Sequence, residues 1–170
     1  MPTSPRIVSL LPSATEMLCT LGYAEALVGI SHECDFPADI THLPAVTAAR
    51  LDASATAAET DAAVRALLQA GQEIYQLDTA LLTQLQPDII VTQAQCDVCA
   101  VSEQRVQEVV CTHLPHTRIV TLQADTLDGI LTDMQHLATA LDCADHAATL
   151  CAEMQERLAA IRQRVQRARW

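Results

Sequence analysis

Aromatic and basic side chains are both scarce in this 170-residue chain. It contains one Trp, two Tyr and one Phe, although half of its residues are hydrophobic. A core without large rings has to be built from closely interlocked aliphatic side chains. Only 10 Lys and Arg residues stand against 21 Asp and Glu, which gives a net charge of -11. This balance disfavours nucleic acids and anionic membrane surfaces as partners, because both require a basic face.

Glycine is also rare, and no long apolar run is present. Four glycines leave little material for phosphate-binding loops, and no nucleophile-elbow, Walker or dinucleotide-binding pattern occurs. These absences give little sign of catalysis, so we do not expect an enzyme. No apolar stretch approaches the ~20 residues of a membrane span. The first apolar run, Ile7 to Leu11, ends at Pro12 and is too short for a secretory signal, which predicts a cytoplasmic protein.

Short runs rich in Ile and Val alternate with helical patterns. Such nearly continuous apolar runs are typical of strands buried on both faces of a parallel sheet. The four predicted strands are Arg6–Leu10, Leu27–Ser31, Asp88–Thr92 and Arg118–Leu122. The alternation predicts an α/β fold, a Rossmann-like lobe whose parallel sheet carries helices on both faces.

Helix-capping signals divide the rest of the chain. Ser13 and Glu16 form a predicted capping box, and Gly22 can end that helix. Further helices are predicted from about residue 57 to Gly71, after Asp78, and from Ser102. From residue 126 to 170 the apolar spacing stays helical, which predicts one long helix or two in series.

The seven cysteines divide into two groups. Those within predicted helices are expected to be buried small hydrophobes: Cys19, Cys111 and Cys151. Cys143 lies in a predicted turn. The remaining three lie in loops that follow strands: Cys34, Cys96 and Cys99.

Ligands of open α/β sheets bind at the carboxyl ends of the strands, so the loops at those ends hold the candidate site. Pro12 and Ser13 place a helix N-terminus there, which favours polar or anionic ligand groups. Ser13 can alternatively be a simple cap. After the second strand, His32-Glu33-Cys34-Asp35 offers at most two ligands to one metal ion, or a polar turn.

The loop after the third predicted strand contains the pair Cys96 and Cys99. Two thiolates at this spacing can share a metal ion, and the same placement occurs in redox centres. With Cys34 and His32 the pair would complete a four-ligand set. Since the two loops leave the same edge of a parallel sheet, we predict that the three thiols lie close together. Purely structural cysteines remain the alternative.

Three segments carry a resemblance to a known family: residues 6–16, residues 28–37 and residues 85–91. They resemble the periplasmic-binding-protein family for cobalamin and ferric siderophores, in particular its cobalamin-binding branch. His32 to Asp35 and Gln95 to Val101 look like signature elements of that branch. The family has two α/β lobes joined by a long helix, with the ligand in the cleft between them, and its members serve ABC transporters.

The resemblance implies a division of the chain. Residues 1–125 would form the N-terminal lobe and residues 126–170 the connecting helix, with the second lobe absent. The implied ligand is cobalamin, another corrinoid or a different metal chelate, and a second lobe or a homodimer would complete the cleft. The aromatic contact of the family's cobalamin binders is expected to be missing at Ala49-Arg50-Leu51.

The ligand contacts implied by the resemblance lie in the loops at the sheet edge. They are Pro12, Ser13, His32, Glu33, Asp35, Phe36, Arg50, Gln93 and Gln95. A cytoplasmic thiol or metal protein that uses Cys34, Cys96 and Cys99 is the alternative function.

Overall fold

A four-stranded parallel sheet is the centre of the structure, a computed structural model that describes residues 4–52, 54–94 and 100–168. The strands of the chain are β1 (Ile7–Ser9), β2 (Leu27–Ile30), β3 (Thr47–Ala49), β4 (Tyr75–Leu77), β5 (Ile89–Gln93) and β6 (Arg118–Leu122). The parallel sheet has the order β2-β1-β5-β6. All four strands predicted from the apolar runs are confirmed, with ends that differ by at most one residue.

The central strands are buried because helices flank the sheet. Val8 of β1 and Ile90 of β5 are opposite each other in register and fully inaccessible to solvent. They belong to an aliphatic core that also takes in Val46, Leu82 and Val106. The α/β fold class predicted from the sequence is therefore confirmed, and its core contains the aliphatic packing that the scarcity of aromatics requires.

Local signals set most of the helix ends. The helices are α1 (Pro12–Thr20), α2 (Ala57–Gln69), α3 (Thr79–Leu85), α4 (Glu103–His113), α5 (Leu127–Ala140) and α6 (Ala144–Arg167). The side chains of Asp78 and Ser102 cap α3 and α4 as predicted. Gly22 has the left-handed conformation expected after α1, with φ of 86°. At the start of α2, Thr56 and Glu59 form a capping box. This capping box was not predicted from the sequence.

Strands β3 and β4 form a separate antiparallel pair, in which Ala49 is opposite Tyr75. The pair was not predicted. Each strand has only three residues, and Thr47-Ala48-Ala49 lacks the run of branched side chains that indicates a strand. An isolated bridge from Ile30 to Ala45 continues from β2 towards the pair, which brings Thr47 close to the loop that follows β2.

Residues 124–170 form a compact unit of their own, separate from residues 1–123. Of the two arrangements predicted for residues 126–170, two helices in series are observed, and the last of them, α6, is a long helix of 24 residues. The chain turns at Asp142, whose φ of 57° is left-handed and interrupts the helix. The thiol of Cys151 on α6 lies 3.7 Å from the carbonyl oxygen of Leu131 on α5, so the two helices of this unit pack together.

Candidate ligand-binding site

Helix α1 begins two residues earlier than the capping box predicted. Leu11 is the N-cap residue and makes no side-chain cap, while Pro12 occupies the first turn. Proline fits this position because its missing N–H would lack an intrahelical partner there. Ser13 is consequently inside the first turn and exposed, so both the capping box and the cap alternative for Ser13 were wrong. Its hydroxyl lies at the carboxyl edge of β1.

A buried chain of hydroxyl groups lies under this turn. The Thr15 hydroxyl donates to Ser9 Oγ at 2.8 Å, and Ser9 donates to the Leu11 carbonyl oxygen at 3.1 Å. Cys34 Sγ is 3.1 Å from Thr15 Oγ1, and only 6% of Cys34 is exposed. Burial raises the pKa of the Cys34 thiol, and hydrogen bonding to Thr15 opposes the rise. A buried thiol with a raised pKa has little thiolate to offer a metal.

His32 lies in the loop after β2 and is held by several polar contacts. Its Nδ1 is 2.7 Å from Thr47 Oγ1, and its backbone N–H donates to the same oxygen at 3.1 Å. Ser31 Oγ is 3.0 Å from Thr47 Oγ1 and accepts from the Glu33 amide at 3.3 Å. The other ring nitrogen, Nε2, is 3.2 Å from a Glu33 carboxylate oxygen. The imidazole orientation is therefore set by both of its nitrogens.

Tyr75 on β4 forms a wall beside this imidazole. The ring centroids of Tyr75 and His32 are 5.6 Å apart with a 45° angle between the planes. Tyr75 is opposite Ala49 in the β3–β4 pair, so an aromatic ring stands next to the segment where the sequence predicted that none would be found. The only sequence signal of this strand is the aromatic Tyr75, which is followed by the polar Gln76 and the apolar Leu77.

These groups surround one pocket at the carboxyl ends of β1, β2 and β5. The pocket has a volume of about 320 Å³ and is open on one side. Its lining residues are Leu10, Leu11, Pro12, Ser13, Ser31, His32, Glu33, Thr47, Tyr75, Gln93, Ala100 and Val101. Apolar side chains with a few convergent polar groups are typical of small-molecule sites.

A family profile described as "Periplasmic binding protein" matches residues 7–169. The chain belongs to the periplasmic binding protein family. The fold and the position of the pocket agree with this membership. None of the curated proteins matches the chain.

Solved structures of periplasmic binding proteins have the same fold. The heme-binding protein RhuT from Roseiflexus has a TM-score of 0.70 at 20% identity over 98% of this chain. The vitamin B12-binding protein BtuF of Vibrio cholerae has a TM-score of 0.68 at 18% identity, also over 98%. SirA of Staphylococcus aureus, solved with staphyloferrin B, has a TM-score of 0.59 at 18% identity over 96% of this chain. The chain spans only 52%, 53% and 46% of these structures, about half of each.

Periplasmic binding proteins are binders and not enzymes, which agrees with the expectation from the sequence. The expectation of a cytoplasmic location finds no support, since the family and the two neighbours RhuT and BtuF are described as periplasmic. Within the described ranges, no helix combines the length and the hydropathy that a membrane span requires.

Five of the ligand contacts expected from the sequence line the pocket: Pro12, Ser13, His32, Glu33 and Gln93. Asp35 and Phe36 follow in the same loop and do not line it, although Phe36 is 61% exposed. Arg50 lines a second, polar depression beside Ser102 and Arg105. Gln95 lies outside the described residues. Sequence reasoning missed Ser31, Thr47 and Tyr75, whose contribution depends on the β3–β4 pair.

The predicted cysteine cluster stays a prediction, because Cys96 and Cys99 lie outside the described residues. Cys34 faces the buried Thr15 and is not among the residues that line the pocket. No group of three or more metal-ligating side chains occurs in the part of the chain that the structure describes. Of the helical cysteines that were expected to be buried, Cys151 is buried and Cys19 is partly buried. Cys111 is exposed, contrary to expectation, because Val106, Val109 and Val110 form the buried face of α4.

Proposed function

We propose that this chain binds a metal chelate in the pocket at the carboxyl edge of the parallel sheet. The observation that carries the proposal is the pocket itself: aliphatic side chains, one aromatic ring and a fixed imidazole converge in a periplasmic-binding-protein fold. A flat chelate has a large apolar face and a polar rim. Leu10, Val101 and Tyr75 suit the face, and Ser13, His32 and Gln93 suit the rim.

The ligand class is suggested by proteins of the same fold. RhuT, BtuF and SirA are described as binding heme, vitamin B12 and staphyloferrin B. All three ligands are metal chelates or chelators, so a chelate is the common chemistry. Within this class we place cobalamin or another corrinoid first, because the signature segments at His32 and at Gln95 resemble the cobalamin-binding branch.

The open side of the pocket requires a second wall. Good small-molecule sites bury 70–90% of the ligand surface, and a pocket of about 320 Å³ that is open on one side covers only one face of a large chelate. We propose that residues 1–125 act as one lobe, that residues 126–170 act as the connecting segment, and that a second lobe or a second copy of the chain closes the cleft. The closed protein would deliver its ligand to an ABC transporter in the periplasm.

Calorimetric titration with hydroxocobalamin, ferric heme and a ferric siderophore tests this function. We expect saturable but weak binding of at least one chelate, because the isolated lobe contacts one face of it. Tyr75→Ala should weaken this binding about fivefold, since a stacked ring contributes on the order of 1 kcal/mol. Tyr23→Ala is the matched control: this second tyrosine does not line the pocket, and its loss should leave the affinity unchanged. Absence of binding by all three chelates would refute the function.

A further inference from the structure

We infer that His32 is the protein ligand to the metal of the bound chelate, and that Thr47 and Ser31 are the positioning residues that switch its imidazole between two tautomers. The inference rests on the proposed function and deepens it. It narrows the ligand class to chelates with an exchangeable axial position. A chelate whose metal is already fully coordinated cannot accept an imidazole nitrogen.

The hydrogen bonds around Thr47 fit a resting tautomer with the ring proton on Nε2. Thr47 Oγ1 accepts from the backbone N–H of His32 and has one hydrogen of its own to donate. If Ser31 donates to Thr47, then Thr47 donates to Nδ1, which must be unprotonated. The proton of the neutral ring is then on Nε2, where it points to the Glu33 carboxylate at 3.2 Å. Every donor in this arrangement has an acceptor.

The same atoms support the opposite tautomer after two hydroxyl rotations. Thr47 then donates to Ser31 and accepts from Nδ1–H, over the same distances of 3.0 and 2.7 Å. Nε2 presents its lone pair, and the Ser31 hydrogen can be donated towards the pocket that this residue lines. Metal-bound histidines commonly donate their second N–H to an oxygen that fixes the ring, and Thr47 is placed to be that oxygen.

The surroundings allow this change at little cost. Thr47 is 6% exposed and Ser31 is 4% exposed, so water does not compete strongly for their hydroxyls. The Glu33 side chain is 55% exposed and can turn into solvent when Nε2 is needed elsewhere. The imidazole itself stays beside Tyr75, whose ring can lie against the face of a chelate while His32 approaches its metal.

The chemical step is a ligand exchange without oxidation or reduction. Nε2 forms a bond to the metal, and the bond from the metal to a water molecule breaks. The proton leaves Nε2 for solvent, and Nδ1 gains one proton, so the charge of the neutral ring is unchanged. Free hydroxocobalamin has such an exchangeable position, whereas cyanide occupies it in cyanocobalamin.

The visible spectrum of the corrin reports this exchange directly. We expect the full chain to shift the absorption bands of hydroxocobalamin towards those of its imidazole complex and to leave cyanocobalamin unshifted. His32→Gly should abolish the shift in buffer that contains no imidazole. His42→Gln is the matched control, because His42 is an exposed histidine outside the pocket, and the shift should persist in it.

Variants of Thr47 test the positioning role. Thr47→Val removes the hydroxyl at similar volume and should weaken hydroxocobalamin binding 10–100-fold, the usual effect of losing such a partner of a metal-bound histidine. Thr47→Ser keeps the hydroxyl and should retain the spectral shift. A purely structural role for Thr47 would lower cyanocobalamin and hydroxocobalamin binding equally, and that result would overturn the assignment.

The outcomes separate the inference from the function on which it rests. Binding of chelates without a spectral shift, or a shift that survives His32→Gly, overturns the role of His32 and leaves the proposed function standing. Equal affinity for hydroxocobalamin and cyanocobalamin overturns it as well. Failure of all chelates to bind in calorimetry overturns the proposed function itself.

Discussion

Gly29 of β2 is the position where a single methyl group should disturb the sheet most clearly. A Cβ atom added there would lie 2.9 Å from Leu85 Cδ1, 3.0 Å from Val46 Cγ1 and 3.4 Å from Val8 Cγ2. The φ angle of Gly29 is outside the left-handed region, so the backbone accepts alanine. The Gly29→Ala substitution therefore tests close packing alone.

Two opposing effects set the magnitude. Overpacking of a well-packed core destabilises the fold by about 1–3 kcal/mol. Replacing glycine by alanine in an allowed conformation stabilises it by about 0.4–1 kcal/mol, because alanine lowers the conformational entropy of the unfolded chain. The midpoints of these two ranges, about 2 and about 0.7 kcal/mol, give a net loss of about 1.3 kcal/mol. For a chain of this size, 1 kcal/mol corresponds to about 2–4 °C in Tm. Urea unfolding followed by circular dichroism, with thermal melts in parallel, measures the loss.

A double-mutant cycle identifies the cause. Leu85→Ala removes the nearest atom, so the cost of Gly29→Ala should fall by at least about 0.5 kcal/mol in that background, as expected for residues in contact. Gly71→Ala is the matched control: its φ is 65° and no atom lies within 4 Å of an added Cβ, so its cost should not depend on Leu85. Full stability of Gly29→Ala, or additivity with Leu85→Ala, would refute the packing argument.

Three further predictions concern the caps and the thiols. No residue of α2 is buried, so Thr56→Ala, which typically costs about 1 kcal/mol of helix stability, should speed amide hydrogen exchange in α2 and leave exchange in β1 and β5 unchanged. Hydrogen bonds from Thr56 hold the pKa of Glu59 below its usual range. The stabilisation that these bonds give to α2 is therefore present above about pH 4.3 and is lost as the pH falls. Amide hydrogen exchange corrected for pH should show that α2 is the first element to fray in acid. Iodoacetamide should modify the exposed Cys111 well before the buried Cys34, as peptide mass spectrometry can measure; equal rates would contradict the burial.

The parts of the fold predicted from the sequence are those specified by local signals. Continuous apolar runs identified the four strands of the parallel sheet, and Asp78 and Ser102 marked helix starts because a cap acts within three residues. The beginning of α1 was mistaken where two local rules competed. Pro12 is accepted at the first helical position, so the helix includes Ser13 instead of being capped by it.

The site was only partly predictable, because it depends on contacts that are distant in sequence. The carboxyl edge of the sheet could be located from the ends of the predicted strands along the chain. This was sufficient to place Pro12, His32 and Gln93 at that edge. Thr47 and Tyr75 could not be found in this way, since each is part of a three-residue strand whose partner is more than 25 residues away in the chain. Cys34 was expected to lie close to Cys96 and Cys99, which are outside the described residues, and its thiol has an inward partner in the buried hydroxyl of Thr15.

The β3–β4 pair therefore has more influence on the ligand than the signature loop alone suggests. We propose His32 as the side chain that meets the metal, yet the atoms that orient it belong to Thr47 on β3, and the ring beside it belongs to Tyr75 on β4. A chain that kept the loop after β2 and changed these two short strands would keep its imidazole and lose the control of its tautomer. We expect related chains to differ in chelate preference through residues of this pair, because substitutions there alter the orientation of the metal ligand without removing it.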